Sequence, residues 1–213
     1  VLFGYGVMVV LLVVTLGLRR DVRRLPLWGL GCAGGAAGLA HARQLALADP
    51  GSRALLVSTE LCGLTFMPDD ASKSNLVATA LFADGAAAAV IAGDAAADGG
   101  LALLDSQSRL YPDSLDVMGW TVLQEGLQVV FQRRIPDLVR AHARDDLEGF
   151  LARHDLGLAD LDALLFHPGG AKVIAAYEEA LDLAPDALDW TRGVLRDHGN
   201  MSSTTVLYVS ERY

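Results

Sequence analysis

Three glycine-rich segments of this 213-residue chain carry side chains that can do chemistry. They lie at residues 31–35, 166–170 and 199–203, and contribute the thiol of Cys32, the imidazole of His167 and the carboxamide of Asn200. Each segment adjoins an apolar run, where a fold can hold a functional side chain at the end of a strand or the start of a helix. The three groups together predict a Cys-His-Asn centre that transfers acyl groups through a thioester.

Cys32 is the predicted nucleophile because it begins a predicted helix that continues from Ala33 to Ala48. The dipole and the unpaired amides at a helix N-terminus lower the pKa of a thiol, which must ionise before it attacks. Gly34 and Gly35 would let a ligand approach the backbone closely. The alternative is a small buried apolar residue, the usual role of a free cysteine. The two accompanying motifs favour the nucleophile.

His167 follows a predicted strand from Leu161 to Phe166, and the Pro-Gly-Gly sequence after it predicts a sharp turn. It could stabilise the Cys32 thiolate as an ion pair and later donate to a thioester carbonyl oxygen. The alternative is a core histidine that is hydrogen-bonded to the backbone. The other histidines lie on helical patterns and are predicted to be solvated: His41, His142, His154 and His198.

Asn200 lies in a Gly-Asn turn, just before a helix predicted from Ser202 to Arg212 with a Ser-Ser cap. Its ordinary role would be that of a turn residue. Its functional role would be a second oxyanion donor beside His167. In that role it would stabilise the enolate that forms when a malonyl thioester loses carbon dioxide.

Composition bounds the class of protein. The chain is 52% hydrophobic with a mean hydropathy of +0.33, which predicts a globular domain with a sizeable core. A net charge of −9 argues against a nucleic-acid partner, since a surface that binds phosphates needs a basic balance. Cys32 and Cys62 are predicted to be free thiols in a reducing cytoplasm.

The first 18 residues form an uncharged apolar run that is followed by four arginines within residues 19–24. Eighteen residues reach the lower limit for a membrane span, but the glycines and β-branched residues fit a buried strand as well. The strand is favoured over the membrane anchor, and no cleavage site of a secretory signal follows.

The remaining pattern alternates strands and helices, which predicts an α/β fold with buried sheets covered on both faces. Strands are predicted at residues 54–58, 86–93, 101–106 and 161–166, and helices at 33–48, 76–82, 135–154, 171–181, 186–198 and 202–212.

Residues 19–213 resemble the type III polyketide synthases, the chalcone and stilbene synthase-like family of the thiolase superfamily. The nucleophile segment at Cys32, the HPGG segment at His167 and the GNMSS segment at Asn200 match that family in order. The resemblance implies an incomplete, thiolase-like αβαβα layered fold, in a chain that looks like an internal fragment. It implies three parts: an apolar segment of uncertain status (1–18), the rest of the N-terminal half with the nucleophile (19–110) and a truncated C-terminal half with His167 and Asn200 (111–213).

The resemblance also implies a function. Cys32 would accept an acyl group from coenzyme A, and His167 with Asn200 would promote decarboxylation of malonyl-CoA, so that condensation yields a pyrone or resorcinol. The family needs no metal or bound cofactor beyond its coenzyme A thioester substrates. The resemblance further implies that the protein is a cytoplasmic homodimer without a membrane partner.

Cavity positions follow from the same resemblance. Phe82 matches a gatekeeper phenylalanine and otherwise would be a core aromatic residue; Cys62 and Thr65 match positions that shape the polyketide cavity. Gly169 and Ser202 are assigned to substrate binding with them. Val129 replaces a second gatekeeper phenylalanine. This replacement argues against an aromatic starter. Cys62, together with Met118-Gly119-Trp120, resembles the bacterial members that make alkylpyrones or alkylresorcinols from fatty acyl starters.

Two alternatives stay open. Ketoacyl-ACP synthases of type III share Cys-His-Asn but carry an HQAN-like segment around the histidine, whereas Pro168-Gly169-Gly170 favours the polyketide branch. The chain could also be an inactive remnant, which its incompleteness favours and its intact triad opposes.

Overall fold

Helices and short strands alternate along the chain in the computed structural model, which describes residues 2–124 and 126–213, with side chains from residue 9 onward. The elements are α1 (Leu2–Thr15), α2 (Gly34–Ala48), β1 (Arg53–Glu60), α3 (Lys73–Leu81), β2 (Gly85–Ala92), β3 (Met118–Val122), β4 (Leu127–Phe131), α4 (Ile135–Leu151), α5 (Ala171–Leu181), α6 (Asp189–His198) and α7 (Thr205–Arg212). This mixture agrees with the predicted α/β class.

The strands described form two antiparallel pairs. β1 pairs with β2 from Arg53 opposite Ala92 to Glu60 opposite Gly85, and β3 pairs with β4. α2 crosses β1 so closely that a Cβ at Gly38 would lie 2.6 Å from the Leu56 Cδ1 atom. This contact sets the start of α2, and therefore Cys32, beside the end of β1.

The core cluster lies where α6 and α7 meet. Val194 and Val209 are fully buried, Met201 is nearly so, and Leu165 packs against them. Because the chain from 199 to 204 connects α6 to α7 across this cluster, the Asn200 turn is fixed by apolar packing on both sides.

Most predicted elements are confirmed. Six of them appear within a few residues of their predicted bounds: α2, β1, α3, β2, α4 and α5. α6 begins three residues later than predicted, at Asp189. α3 begins earlier than predicted because the Ser72 side chain accepts a hydrogen bond from the Asn75 N–H at 3.2 Å and caps the helix.

Two strand predictions are wrong. Residues 101–106 form no ladder, because the carbonyls of Leu103 and Leu104 accept hydrogen bonds from the Arg43 guanidinium instead. Residues 161–166 run without a paired strand in the part of the chain described. The apolar pattern also did not bring full burial, since residues 101–105 are exposed and residues 161–166 are half-buried or exposed, and among the described residues neither run has the partner that a strand requires.

The N-terminal segment is a helix and not the strand that its β-branched residues favoured. A helix satisfies its backbone groups internally, whereas a strand needs a neighbour. Val10 and Val14 on this helix are exposed. Among the described helices, none combines the length and apolar character needed to cross a membrane. Val1 lies outside the described residues.

The last helix starts later than predicted and lacks the Ser-Ser cap. A 3₁₀ turn occupies Ser202–Thr204, and α7 begins at Thr205 with no side-chain cap. The serine side chains are not available for capping, since Ser203 donates to Glu60 from β1.

Candidate active site

Cys32 lies in a 3₁₀ turn, Gly31–Ala33, that runs directly into α2. The predicted position at a helix N-terminus is therefore observed. Gly35 makes the turn possible: a Cβ there would collide with the Ser203 carbonyl oxygen and lie 2.7 Å from Val206 Cγ1. Glycine thus lets the start of α2 lie directly against the start of α7.

Burial raises the pKa of the Cys32 thiol, and the nearby Glu60 carboxylate raises it further. Hydrogen bonding to Ser202 and Asn200 acts in the opposite direction, since these groups favour the thiolate. Because burial is the largest of these effects, Cys32 is a neutral thiol at neutral pH, with donors placed to stabilise the anion once it forms.

His167 is enclosed. Both ring nitrogens are shielded from solvent and have no hydrogen-bond partner in the structure. Burial lowers the pKa of His167 from 6.5 to about 4, so the imidazole is neutral at neutral pH. The ion pair expected between His167 and Cys32 is therefore not formed here, and the alternative of a histidine bonded to backbone is not observed either.

The turn after His167 is held by close packing. Pro168 is fully buried, and Gly169 and Gly170 have φ values of +34° and +153°. A Cβ at Gly169 would lie 3.1 Å from Val173 Cγ1 on α5. The Pro-Gly-Gly sequence therefore makes the sharp turn predicted for it and aims His167 at the start of α2.

Asn200 is fully buried and clamped by its backbone. Its N–H donates to the Leu81 carbonyl and its carbonyl accepts from Ala83 N–H, each at 2.9 Å. Its side chain donates through Nδ2 to the Gly169 carbonyl at 3.3 Å and accepts at Oδ1 from Ser202 N–H at 2.8 Å. The carboxamide therefore ties the His167 turn to the start of α7.

The three predicted residues are brought together. Cys32 and His167 line one cavity of about 360 Å³ with Phe166 and Val206, and the Asn200 side chain lies close enough to Cys32 to lower the pKa of its thiol. Gly169 and Ser202, assigned to substrate binding, lie beside this group as the two partners of the Asn200 carboxamide. Ser202 has a φ of +51°, an uncommon conformation for a residue other than glycine, and such strain is concentrated at functional sites.

A buried polar network beneath Cys32 was missed by the sequence analysis. Ser58 Oγ lies 2.8 Å from Ser203 Oγ, and Ser203 also donates to the Glu60 carboxylate. A usable signal existed: Ser58 and Glu60 are two residues apart on a strand and so share one face, where polar groups are unusual in an apolar sheet.

A second cavity of about 370 Å³ collects the predicted cavity residues. Phe82, Cys62, Thr65 and Val129 all line it. Phe82 packs edge-on against Phe131, with ring centroids 6.1 Å apart. Burial, followed by the charge of Glu60, raises the pKa of Cys62 to about 12, and both cysteines are free. Asn75 and Thr79 of α3 also line this cavity and were not predicted.

Other ionisable groups lie outside these cavities. His41, His154 and His198 are exposed, and His142 stacks on Tyr111. Within residues 2–124 and 126–213 no group of three or more His, Cys, Asp or Glu residues could hold a metal ion.

Comparison with family models decides the classification. The model described as chalcone and stilbene synthases, N-terminal domain, matches residues 8–95, and the model of the C-terminal domain matches residues 102–213. The chain belongs to the chalcone and stilbene synthase family.

Relatives and solved structures of this family agree. A Bacillus subtilis (strain 168) protein with the provisional name of a chalcone synthase is 47% identical over 194 residues, which are 88% of this chain and 53% of that protein. A 1,3,6,8-tetrahydroxynaphthalene synthase from Streptomyces peucetius subsp. caesius is 45% identical over 203 residues, 94% of this chain and 54% of that protein. A solved structure agrees as well: that of 1,3,6,8-tetrahydroxynaphthalene synthase from Streptomyces coelicolor A3(2), a bacterial type III polyketide synthase. It superposes on this chain with a TM-score of 0.90 at 29% sequence identity. The superposition covers 96% of this chain and 58% of that chain.

The chain spans about half the length of the curated relatives it matches. Its fold is accordingly an incomplete version of the thiolase-like α/β fold of type III polyketide synthases. The boundaries predicted after residues 18 and 110, between the apolar segment and the two thiolase-like halves, stay predictions.

Proposed function

We propose that the chain carries the acyl-transfer chemistry of a type III polyketide synthase, condensing an acyl-CoA starter with malonyl-CoA through a thioester on Cys32. The observation that carries this proposal is the cavity shared by Cys32 and His167, with the Asn200 side chain beside Cys32. Membership of the chalcone and stilbene synthase family supports it.

In the first step Cys32 attacks the thioester carbonyl of the starter. The neutral His167 ring accepts the thiol proton, the sulfur–carbonyl bond forms, and coenzyme A leaves as a thiol after taking a proton back. The pKa directions support a general base, since a neutral imidazole beside a neutral thiol is ready for proton transfer.

In the second step malonyl-CoA loses carbon dioxide and the electron pair of the broken bond forms an enolate. The Nδ2 group of Asn200 and an N–H of His167 donate to the enolate oxygen. The enolate carbon attacks the acyl group on Cys32, and the sulfur leaves as a thiolate. Donation from Asn200 and Ser202 stabilises that thiolate.

The second cavity would hold the growing chain behind Phe82. Its mostly apolar lining and the presence of Val129 support an alkyl starter and a pyrone or resorcinol product. The relative that is named a tetrahydroxynaphthalene synthase supports a competing product of that type. Chromatography of the products formed from a long-chain starter, compared with those from malonyl-CoA alone, separates the two.

The remaining parts of the proposal concern partners. We expect no metal or resident cofactor, because coenzyme A arrives with the substrates and the carbanion is stabilised by hydrogen bonds. A cytoplasmic homodimer is also proposed, and sedimentation analysis of the purified protein tests the dimer.

Mass spectrometry tests the first step. The purified chain is incubated with a long-chain acyl-CoA, digested and searched for an acyl adduct. An adduct on Cys32 that is absent in Cys32→Ala and present in Cys62→Ala supports the proposal. An adduct distributed equally over both cysteines contradicts it.

A second candidate is an inactive member of the family, favoured by the raised pKa of the Cys32 thiol and by the absence of a hydrogen-bond partner on the His167 ring nitrogens in the structure. Folded protein, shown by a cooperative thermal transition, that gives no adduct on Cys32 would support this candidate.

A further inference from the structure

The segment that carries His167 lacks the usual support of a sheet. Residues 161–166 form no ladder in the described part of the chain, and the His167 ring nitrogens have no partner. The position of the ring therefore depends on what holds the backbone on either side of it. Asn200 holds the far side, at the Gly169 carbonyl.

On the near side the bond comes from Thr191. This residue lies in the first turn of α6, is fully buried, and donates through Oγ1 to the Phe166 carbonyl at 3.0 Å. The Phe166 ring stacks on Tyr177 of α5, with centroids 4.2 Å apart and planes 4° from parallel. The residue before His167 is thus fixed by one hydrogen bond and one ring contact.

We propose that Thr191 is a positioning residue that holds His167 against Cys32 through the Phe166 carbonyl. The effect of Thr191 on catalysis rests on the proposed function, whereas its effect on the position of the His167 ring does not. Without this donor the half-buried Phe166 carbonyl loses its hydrogen-bond partner, and a shift of the segment toward water would supply another. Such movement would turn the imidazole out of the shared cavity.

Movement of the His167 ring can be measured through its pKa, which depends on the surroundings of the ring. Cys32 is the titratable group that shares the cavity with His167, and Tyr177 from α5 lies behind Phe166. Burial is the cause of the lowered pKa of His167. Displacement of the ring into solvent would therefore raise that pKa from about 4 toward 6.5.

The experiment follows hydrogen–deuterium exchange at the C2 position of His167 against pH, which yields its pKa without any turnover. Thr191→Val keeps the shape of the side chain and removes the donor. We expect the pKa to rise by at least one unit and the rate of Cys32 acylation to fall roughly tenfold, as misplacement of a general base does. Thr191→Ser, which keeps the hydroxyl, should restore both.

Leu151→Ala is the control for general loss of stability, since Leu151 is buried at the end of α4 and belongs neither to residues 161–170 nor to α6. It should lower the melting temperature and leave the His167 pKa unchanged. If Thr191→Val also lowers only the melting temperature, Thr191 is a packing residue and the proposal is overturned.

If Thr191→Val does not fold, Thr191→Cys replaces it, because a thiol preserves volume and donates weakly. An intermediate pKa in the folded Cys variant supports the proposal, and an unchanged pKa overturns it. If the unaltered chain is not acylated at all, the proposed function fails, while the pKa comparison still decides the role of Thr191.

Discussion

Glu60 adds to the effect of burial in holding the Cys32 thiol in its neutral form. The carboxylate lies at the end of β1, within electrostatic reach of both cysteines, and accepts a hydrogen bond from Ser203. Its charge opposes ionisation, whereas Asn200 and Ser202 favour it. The Cys32 thiol therefore ionises only when a base removes its proton.

Replacing this charge should make Cys32 more reactive. In Glu60→Gln the negative charge is lost while an acceptor for Ser203 remains, so the pKa of Cys32 falls. We expect alkylation of Cys32 by iodoacetamide at pH 8 to proceed about threefold faster. Glu148→Gln, a change on the exposed face of α4, should leave the rate unaltered. Slower alkylation in Glu60→Gln would show that the carboxylate helps ionisation.

His167 makes stability dependent on acid. Its pKa is 6.5 in an exposed state and about 4 in the fold, so the unfolded chain binds the proton first. The free energy of unfolding therefore falls as the pH drops from 6.5 to 4, by roughly 2 to 3 kcal/mol. Urea unfolding at a series of pH values measures this slope, and His167→Gln should be flatter over the same range. Parallel slopes for the two proteins would mean that His167 is not the group responsible.

At the scale of elements, the contact between the starts of α2 and α7 sets the position of Cys32. The start of α2 lies against Ser203 because Gly35 has no side chain. Nothing comparable surrounds Gly149 in α4, where a Cβ would meet open space. Gly35 and Gly149 both lie in helices, so alanine at each position separates the cost of close packing from the gain in helix propensity.

Alanine at these two positions should have opposite effects. Gly35→Ala pushes α2 away from Ser203 and should cost about 2 kcal/mol of unfolding free energy and slow acylation of Cys32. Gly149→Ala should stabilise the chain by about 0.5 to 1 kcal/mol, since alanine favours a helix. Thermal unfolding with acylation rates measures both. A Gly35→Ala protein as stable and reactive as the parent would show that the contact is loose.

The elements predicted best from the sequence were those that depend on residues close together in the chain. The periodic apolar face of α4 and the cysteine at the start of α2 depend on neighbouring residues alone. The strand predicted at 161–166 failed because pairing depends on a distant partner. The hairpin of β3 and β4 was missed for a different reason, because its two five-residue strands carry no clear alternation of apolar and polar residues.

The same distinction applies to the site. Cys32, His167 and Asn200 could be singled out because each lies in a glycine-rich turn, although their proximity depends on the whole fold. The roles of Glu60 and Thr191 could not be read from spacing, since their partners are 143 and 25 residues away.

At the scale of the whole molecule, apolar side chains remain on the outer face of the β1–β2 pair. Leu55 and Val90 are opposite each other in the register and are 42% and 66% exposed. An exposed apolar pair on a short sheet with open edges favours association between chains.

A charge at this pair should weaken that association. Val90→Lys is expected to lower the apparent mass at high concentration in size-exclusion chromatography with light scattering, because a lysine on the sheet face resists apolar contact. Acylation of Cys32 should not change. Ala141→Lys, at an exposed position of α4, is the control for charge alone. Equal effects of the two lysines would place the association elsewhere.

The bridge between Phe82 and Asn200 couples two properties that an engineer would wish to vary separately. The aromatic ring faces the second cavity, and the carboxamide faces Cys32, yet their backbones are neighbours in one short parallel pairing. Side-chain changes at Phe82 can alter the volume available to a product, but any change that shifts its backbone also moves the carboxamide. Under the proposed function, product selectivity and reaction rate are therefore linked at this point of the chain, and substitutions of Phe82 that preserve its backbone are expected to change the cavity alone.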